Sequence, residues 1–249
     1  MIELLKAYEP ITLEEMKSVK LMNRTDTKFV TNIDKLSQLL LLAQRDYYVQ
    51  DINGERNPDY DTTYLDTMAF DMYTQHQCGH TNRQKIRFRT YCTSKLQFME
   101  VKTKNNHGRT KKKRIEVDDM DLRDAAKRQF LQQHLRYDAD QLQPVLNNHF
   151  NRITLVNKGM TERLTIDTAL RFHNLLNGEN KDMGQLVVIE LKRDGLVYSP
   201  VMHMLRQLRI HPHGFSKYCM GEALTSKNRL PVNRFKCKLI EIGKLVKQQ

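Results

Sequence analysis

Along residues 84–92, QKIRFRTYC, polar and apolar side chains alternate: Lys85, Arg87 and Arg89 occupy every second position, with Ile86 and Phe88 between them. Residues two apart in a β-strand share a face, so the spacing predicts a strand with a row of three cations on one side and an apolar surface on the other. The same period returns in MEVKTK, where Glu100, Lys102 and Lys104 oppose Met99, Val101 and Thr103. It returns again in ERLTID, with Arg163, Thr165 and Asp167 against Leu164 and Ile166, and in VIELKRD, with Glu190 and Lys192 against Ile189 and Leu191.

Other stretches carry the helical period. NIDKLSQLLLLAQRD (32–46) predicts a helix capped by Asn32 or Asp34, with Ile33, Leu36, Leu39, Leu40 and Ala43 as its apolar stripe. LRDAAKRQFLQQHLR (122–136) is rich in helix formers, and SPVMHMLRQLRI, SKYCMGEAL and RFKCKLIEIGKLVKQQ predict helices in the last third. YDTTYLDTMAF, RIEVD (114–118) and HFNRITLV (149–156) join the strands. No linker composition and no repeat divides the chain, so residues 1–249 are expected to form a single α+β domain, mainly antiparallel. An ordinary half-exposed sheet explains any one charged strand face. Recurrence of the pattern on distant strands favours a β-barrel with charged faces inward and apolar faces covered by flanking helices. Unmatched cations cannot stay dry, so such a lumen implies a polyanionic ligand.

Overall charge points the same way. Lys and Arg total 41 against 29 acidic residues, a formal net charge of +12, which favours an anionic partner. Cys78, Cys92, Cys219 and Cys237 are scattered without a C-x-x-C pair, which argues against a structural zinc site or disulfide framework. The N-terminal MIELLKAYEP lacks a signal-peptide pattern and LSQLLLLA (36–43) is too short to span a bilayer, so a cytoplasmic protein without a membrane segment is expected. GRTKKKR (108–114) predicts a solvated hairpin turn, and His76 and His80, although four apart, lack a third ligand.

NRTDTKFV (23–30), YLDT (64–67), NRQKIRFRTY (82–91), EVKTK (100–104), RLTIDTALRF (163–172), VIELK (188–192) and FSKYCMG (215–221) follow one another in this order. Together they resemble the VTC domain, the polyphosphate polymerase domain of the vacuolar transporter chaperone family, within the triphosphate tunnel metalloenzymes. The resemblance implies an antiparallel barrel, the triphosphate tunnel, that transfers the γ-phosphoryl of ATP to a polyphosphate chain. It implies Arg87, Arg89, Lys102, Arg163 and Lys217 as catalytic cations, and Lys28, Arg152 and Ser216 as substrate-binding residues; the charged strand rows add Lys85 and Lys104 as substrate-binding candidates, and the position of Lys113 between two barrel strands adds it at the tunnel mouth. It makes Glu190 the ligand of a Mn²⁺ or Mg²⁺ ion, and ATP with inorganic polyphosphate or pyrophosphate the partners.

The sequence departs from that family at several places. Arg24, Asp26 and Lys28 stand where tunnel hydrolases carry E-x-E-x-K, which favours the VTC branch. Phe150 replaces an expected tyrosine, Lys104 a histidine and Gly214 a lysine, and no fused regulatory SPX-type domain is expected. Three readings of the tunnel follow: a polymerase, a triphosphate hydrolase with Glu100, Asp167 or Asp66 as general base, and a non-catalytic polyphosphate binder. Asp167 is expected to balance neighbouring arginines, and Asp66 to orient a lysine, approach the metal or join a structural salt bridge. Nucleic acid ranks last, because Phe88 falls on the face opposite the cations.

Overall fold

The alternating and helical periods resolve into eleven strands and seven α-helices among the residues described by the computed structural model: 2–19, 24–107, 109–195 and 197–247. In chain order these are α1 (Ile2–Lys6), β1 (Pro10–Ile11), β2 (Arg24–Asn32), α2 (Ile33–Ala43), β3 (Tyr47–Gln50) and β4 (Asp59–Thr67). There follow α3 (Asp71–Gln77), β5 (Arg83–Tyr91), β6 (Leu96–Lys104), β7 (Thr110–Glu116), α4 (Ala125–His134), β8 (Leu142–Asn157) and β9 (Glu162–Asn174). The chain ends with β10 (Asn180–Asp182), β11 (Leu186–Asp194), α5 (Pro200–Gln207), α6 (Lys217–Thr225) and α7 (Lys236–Lys247). Helix α2 starts where its cap predicts: the Asn32 side chain accepts from the Lys35 backbone N–H, and Leu36, Leu39, Leu40 and Ala43 are buried. None of the helices among the described residues is long and apolar enough to cross a membrane.

The main strands are antiparallel neighbours in the order β2-β11-β9-β8-β4-β5-β6-β7. The sheet curls into a half-barrel, so that Lys102 on β6 feels the charge of Glu190 on β11, with four strands between them along that path. Its convex side is apolar. Phe29, Ile153, Leu155, Leu164, Ile166, Ile189 and Leu191 pack under α1, α2 and α5, while Ile86, Phe88, Met99 and Val101 pack under Phe130 and Leu131 of α4.

A bulge in β9 changes which parity faces inward. Pairing shifts from His149↔Arg171 to Asn151↔Thr168, with Ala169 left-handed at φ 50°. Before it, Arg163 and Asp167 share the concave side while Leu164 and Ile166 face out. Beyond it, even-numbered Leu170 and Phe172 join the concave-side core with Leu146, Tyr218 and Met220. That core seats α6 inside the curl. Gly221 makes the close approach possible: a Cβ there would stand 2.7 Å from Phe172 Cδ1 and closer still to Leu146 Cδ2.

Candidate functional site

The charged rows of β2, β5, β6, β8, β9 and β11 meet on the concave side, together with the start of α6. Glu100 is fully buried, and it accepts from Arg87 Nε at 2.8 Å, Arg87 Nη2 at 2.5 Å and Lys112 Nζ at 2.9 Å. Burial raises its pKa, but Arg87, Arg89 and Lys112 outweigh burial and hold the carboxyl well below its ordinary range. Asp167 forms a second clamp. Arg152 donates Nε and Nη2 to it at 2.6 and 2.8 Å, and Lys217 Nζ binds the same carboxylate. Burial again opposes the charge, and Arg152 and Lys217 again prevail. Asp167 thus balances one arginine and one lysine.

Phe150 forms the floor between these groups. Its ring stacks on Tyr60 at 5.4 Å and lies 3.4 Å from Lys217 Nζ, 5.2 Å from the Arg152 guanidinium and 5.5 Å from that of Arg89. A phenyl face attracts cations through its quadrupole and needs no hydroxyl to do so.

Two central cations lack such a carboxylate. Arg89 makes one side-chain hydrogen bond, Nε to Thr62 Oγ1 at 3.1 Å, and burial with repulsion from Arg87 and Arg152 brings its pKa down to about 10. Lys102 makes no ion pair or hydrogen bond to another described residue. Arg87, burial and Arg89 together push its pKa well below the usual lysine value. Nearby, Lys85 donates to Ser216 Oγ at 2.7 Å and lies 3.7 Å from Cys219 Sγ, with burial lowering its pKa to about 8.

Glu190 is the third lumen carboxylate, and lysines rather than arginines surround it. Lys192 Nζ lies 3.0 Å and Lys28 Nζ 3.7 Å away, and Lys28 also donates to the Phe215 carbonyl at 2.9 Å. Burial pushes the Glu190 pKa up, but Lys192, Lys28 and Lys102 hold it low. No group of three His, Cys, Asp or Glu side chains converges among the described residues. A hard divalent ion held through one carboxylate takes its other ligands from phosphate and water oxygens, and Glu190 fits that pattern.

Placement differs from expectation at several residues. Lys113 opposes Val101 on β7 and so projects to the convex side, beside Lys111, Gln133 and Arg136 on a surface cleft. The segment 110–116 is strand, not turn, and its two-residue period brings Lys112 to Glu100 and Arg114 over Phe98. Reading TKKKRIE as a strand paired with MEVKTK would have found Lys112. Gly108, assigned to the turn, lies outside the described residues. Arg163 sits on the lumen face toward the N-terminal segment, with Nη2 donating to the Met16 carbonyl at 3.3 Å. Lys104 ends β6 opposite Arg83, half-buried.

Asp66 meets neither a lysine nor a salt bridge. It accepts from the Thr67, Met72 and Tyr73 backbone N–H groups at 2.8, 2.9 and 2.9 Å, which anchors the start of α3, and from the Tyr218 hydroxyl. His76 is half-buried: its Nδ1 lies 3.1 Å from Cys219 Sγ, and burial with four nearby cations strongly lowers its pKa.

A curled antiparallel sheet, sheathed in helices and lined by more buried and half-buried cations than carboxylates, defines a tunnel-fold protein whose interior suits a polyanion. The sequence matches the VTC domain over residues 23–226, more than half of its length, and the chain belongs to that family. A search of curated proteins finds no significant match. Among solved structures, a candidate adenylate cyclase from Bacillus halodurans is 13% identical, with 78% of this chain and 96% of that one covered at TM-score 0.51. A candidate adenylate cyclase from Vibrio parahaemolyticus is 13% identical, with 81% and 99% covered at TM-score 0.48. A candidate adenylyl cyclase from Hippeastrum, described as having a dominant triphosphatase activity, is 14% identical, with 85% and 99% covered at TM-score 0.49. At such identities the likeness to the Bacillus halodurans protein establishes a common fold.

Proposed function

We propose that this tunnel is a metal-dependent polyphosphate polymerase that moves the γ-phosphoryl of ATP onto the end of a polyphosphate chain. The observation that carries the reading is the pair of lumen cations left without a carboxylate partner, buried Arg89 and half-buried Lys102, beside the lysine-ringed Glu190. Family membership supports the same substrate class. In the reaction the bond between the γ-phosphorus and its bridging oxygen breaks, the nucleoside diphosphate leaves, and a terminal phosphate oxygen takes its place.

Catalysis of such a loose transition state is mostly positioning and charge stabilisation. Arg89 and Lys102 face the chain's non-bridging oxygens, and Arg87 and Arg152, fixed by Glu100 and Asp167, form rigid walls. Lys28, Lys85 and Ser216 hold one end. A Mn²⁺ or Mg²⁺ ion on Glu190 supplies neutralisation of phosphoryl charge when bound.

Hydrolysis ranks second because water needs a general base. Glu100 and Asp167 are each clamped by two cations, and Asp66 is committed to α3 and Tyr218. The test incubates the protein with γ-labelled ATP and Mn²⁺ and resolves products on a gel, with Glu190→Gln alongside. A ladder of phosphate chains that falls at least about a hundredfold in the variant supports the polymerase. Orthophosphate alone moves the reading to a hydrolase.

A further inference from the structure

Three consecutive residues ahead of α6 each receive a lysine from a different element. Lys28 of β2 donates to the Phe215 carbonyl at 2.9 Å, and Lys85 of β5 donates to Ser216 Oγ at 2.7 Å. The third comes from α7: Lys238 Nζ stands 3.1 Å from where a Cβ at Gly214 would be, so the missing side chain leaves room for this ammonium. Arg83, Lys28, Lys85 and Lys238 all act on the His76 ring, which places the four charges around one small volume.

Neutralisation there is sparse. Glu190 is shared between Lys28 and Lys192, Glu241 of α7 lies 3.0 Å from His213 Nε2, and Lys238 forms no ion pair or hydrogen bond with another described residue. Three lysines gathered on one loop, with Arg83 acting on the same histidine and so little compensation, form a site for an anion.

We propose that Lys238, on the helix beyond the VTC-matched residues, holds an outer phosphate of a polyphosphate chain together with Lys85 and Arg83. The inference rests on the polyphosphate reading above and extends it to α7. A short chain is satisfied by Arg87, Arg89 and Lys102 in the centre, whereas a longer one reaches the loop at Gly214.

Calorimetric titration of the full chain with inorganic tripolyphosphate and with long-chain inorganic polyphosphate tests this. Lys238→Ala is expected to weaken long-chain binding about fivefold and tripolyphosphate binding less than about twofold. Lys238→Arg is expected to restore the long-chain affinity. Lys236→Ala, which removes an exposed lysine from the same helix, is expected to leave it unchanged. Unchanged long-chain affinity in Lys238→Ala, or an equal loss in Lys236→Ala, overturns the inference while leaving the polymerase reading in place. Failure of the unaltered protein to bind either phosphate overturns both.

Discussion

Arg87 and Arg89 stand two residues apart on one face of one strand and are almost equally buried, 7% and 6% exposed, yet they belong to regions of different kind. Around Arg87 the cations converge on Glu100, and across the lumen Arg152 and Lys217 converge on Asp167. Around Arg89 and Lys102 there is a hydroxyl, aromatic faces and other cations. The clamped region has its electrostatics satisfied within the fold. The unclamped strip is held together at a cost in like-charge repulsion, and a polyanion relieves it.

Breaking the clamp carries the largest expected effect. Arg87→Ala leaves a fully buried Glu100 with only Lys112, and chemical denaturation is expected to show about 3–5 kcal/mol less stability. An unshifted denaturation midpoint would remove the distinction between the regions. Arg89→Ala sharpens it from the other side. Tripolyphosphate binding should weaken by about 2 kcal/mol while the thermal midpoint holds or rises, because the deletion relieves repulsion from Arg87 and Arg152. A midpoint lowered as far as in Arg87→Ala would mean that Arg89 is structural too.

Lys85 gives a pH signature. Its pKa in the folded chain is lowered to about 8, so between about pH 8 and its ordinary value near 10.5 the unfolded chain holds the extra proton. Stability therefore gains from this group as pH rises through that window, while phosphate affinity falls by up to about tenfold per pH unit. A titration of both quantities, repeated with Lys85→Met, should show the two opposite slopes and their loss. The smallest effect is expected for Lys112→Ala, at most about 1 kcal/mol by denaturation, since this lysine is 40% exposed and Arg87 still pairs with Glu100.

Much of the lumen was legible from period alone. Alternation in QKIRFRTYC, MEVKTK and VIELKRD put the cations of β5, β6 and β11 on one face, and the curl of the sheet turned those faces toward each other. What escaped was set by register and tertiary contact. Lys112 rather than Lys113 faces Glu100 because β7 pairs in step with β6, and a run of three lysines contains no apolar position to mark its phase. The bulge at Ala169 reverses the parity of β9, so a strict two-residue reading of RLTIDTALRF places Phe172 on the wrong side. Asp66 was read as a partner for cations because its bonds to α3 and Tyr218 join residues up to 152 positions apart. Lys238 lay in a segment whose only signal was a helical period.

One glycine sets the bore of this tunnel. Because Gly221 presents no methyl to Leu146 and Phe172, α6 rests directly on the sheet, and the depth to which Ser216 and Lys217 reach follows from that seating. The hydrogen bonds of the strands fix the barrel's circumference, but its usable gauge is machined by the thickness of a single helix-to-sheet contact. An alanine at 221 would act as a shim, changing the clearance beneath α6 while leaving every lumen charge in the sequence.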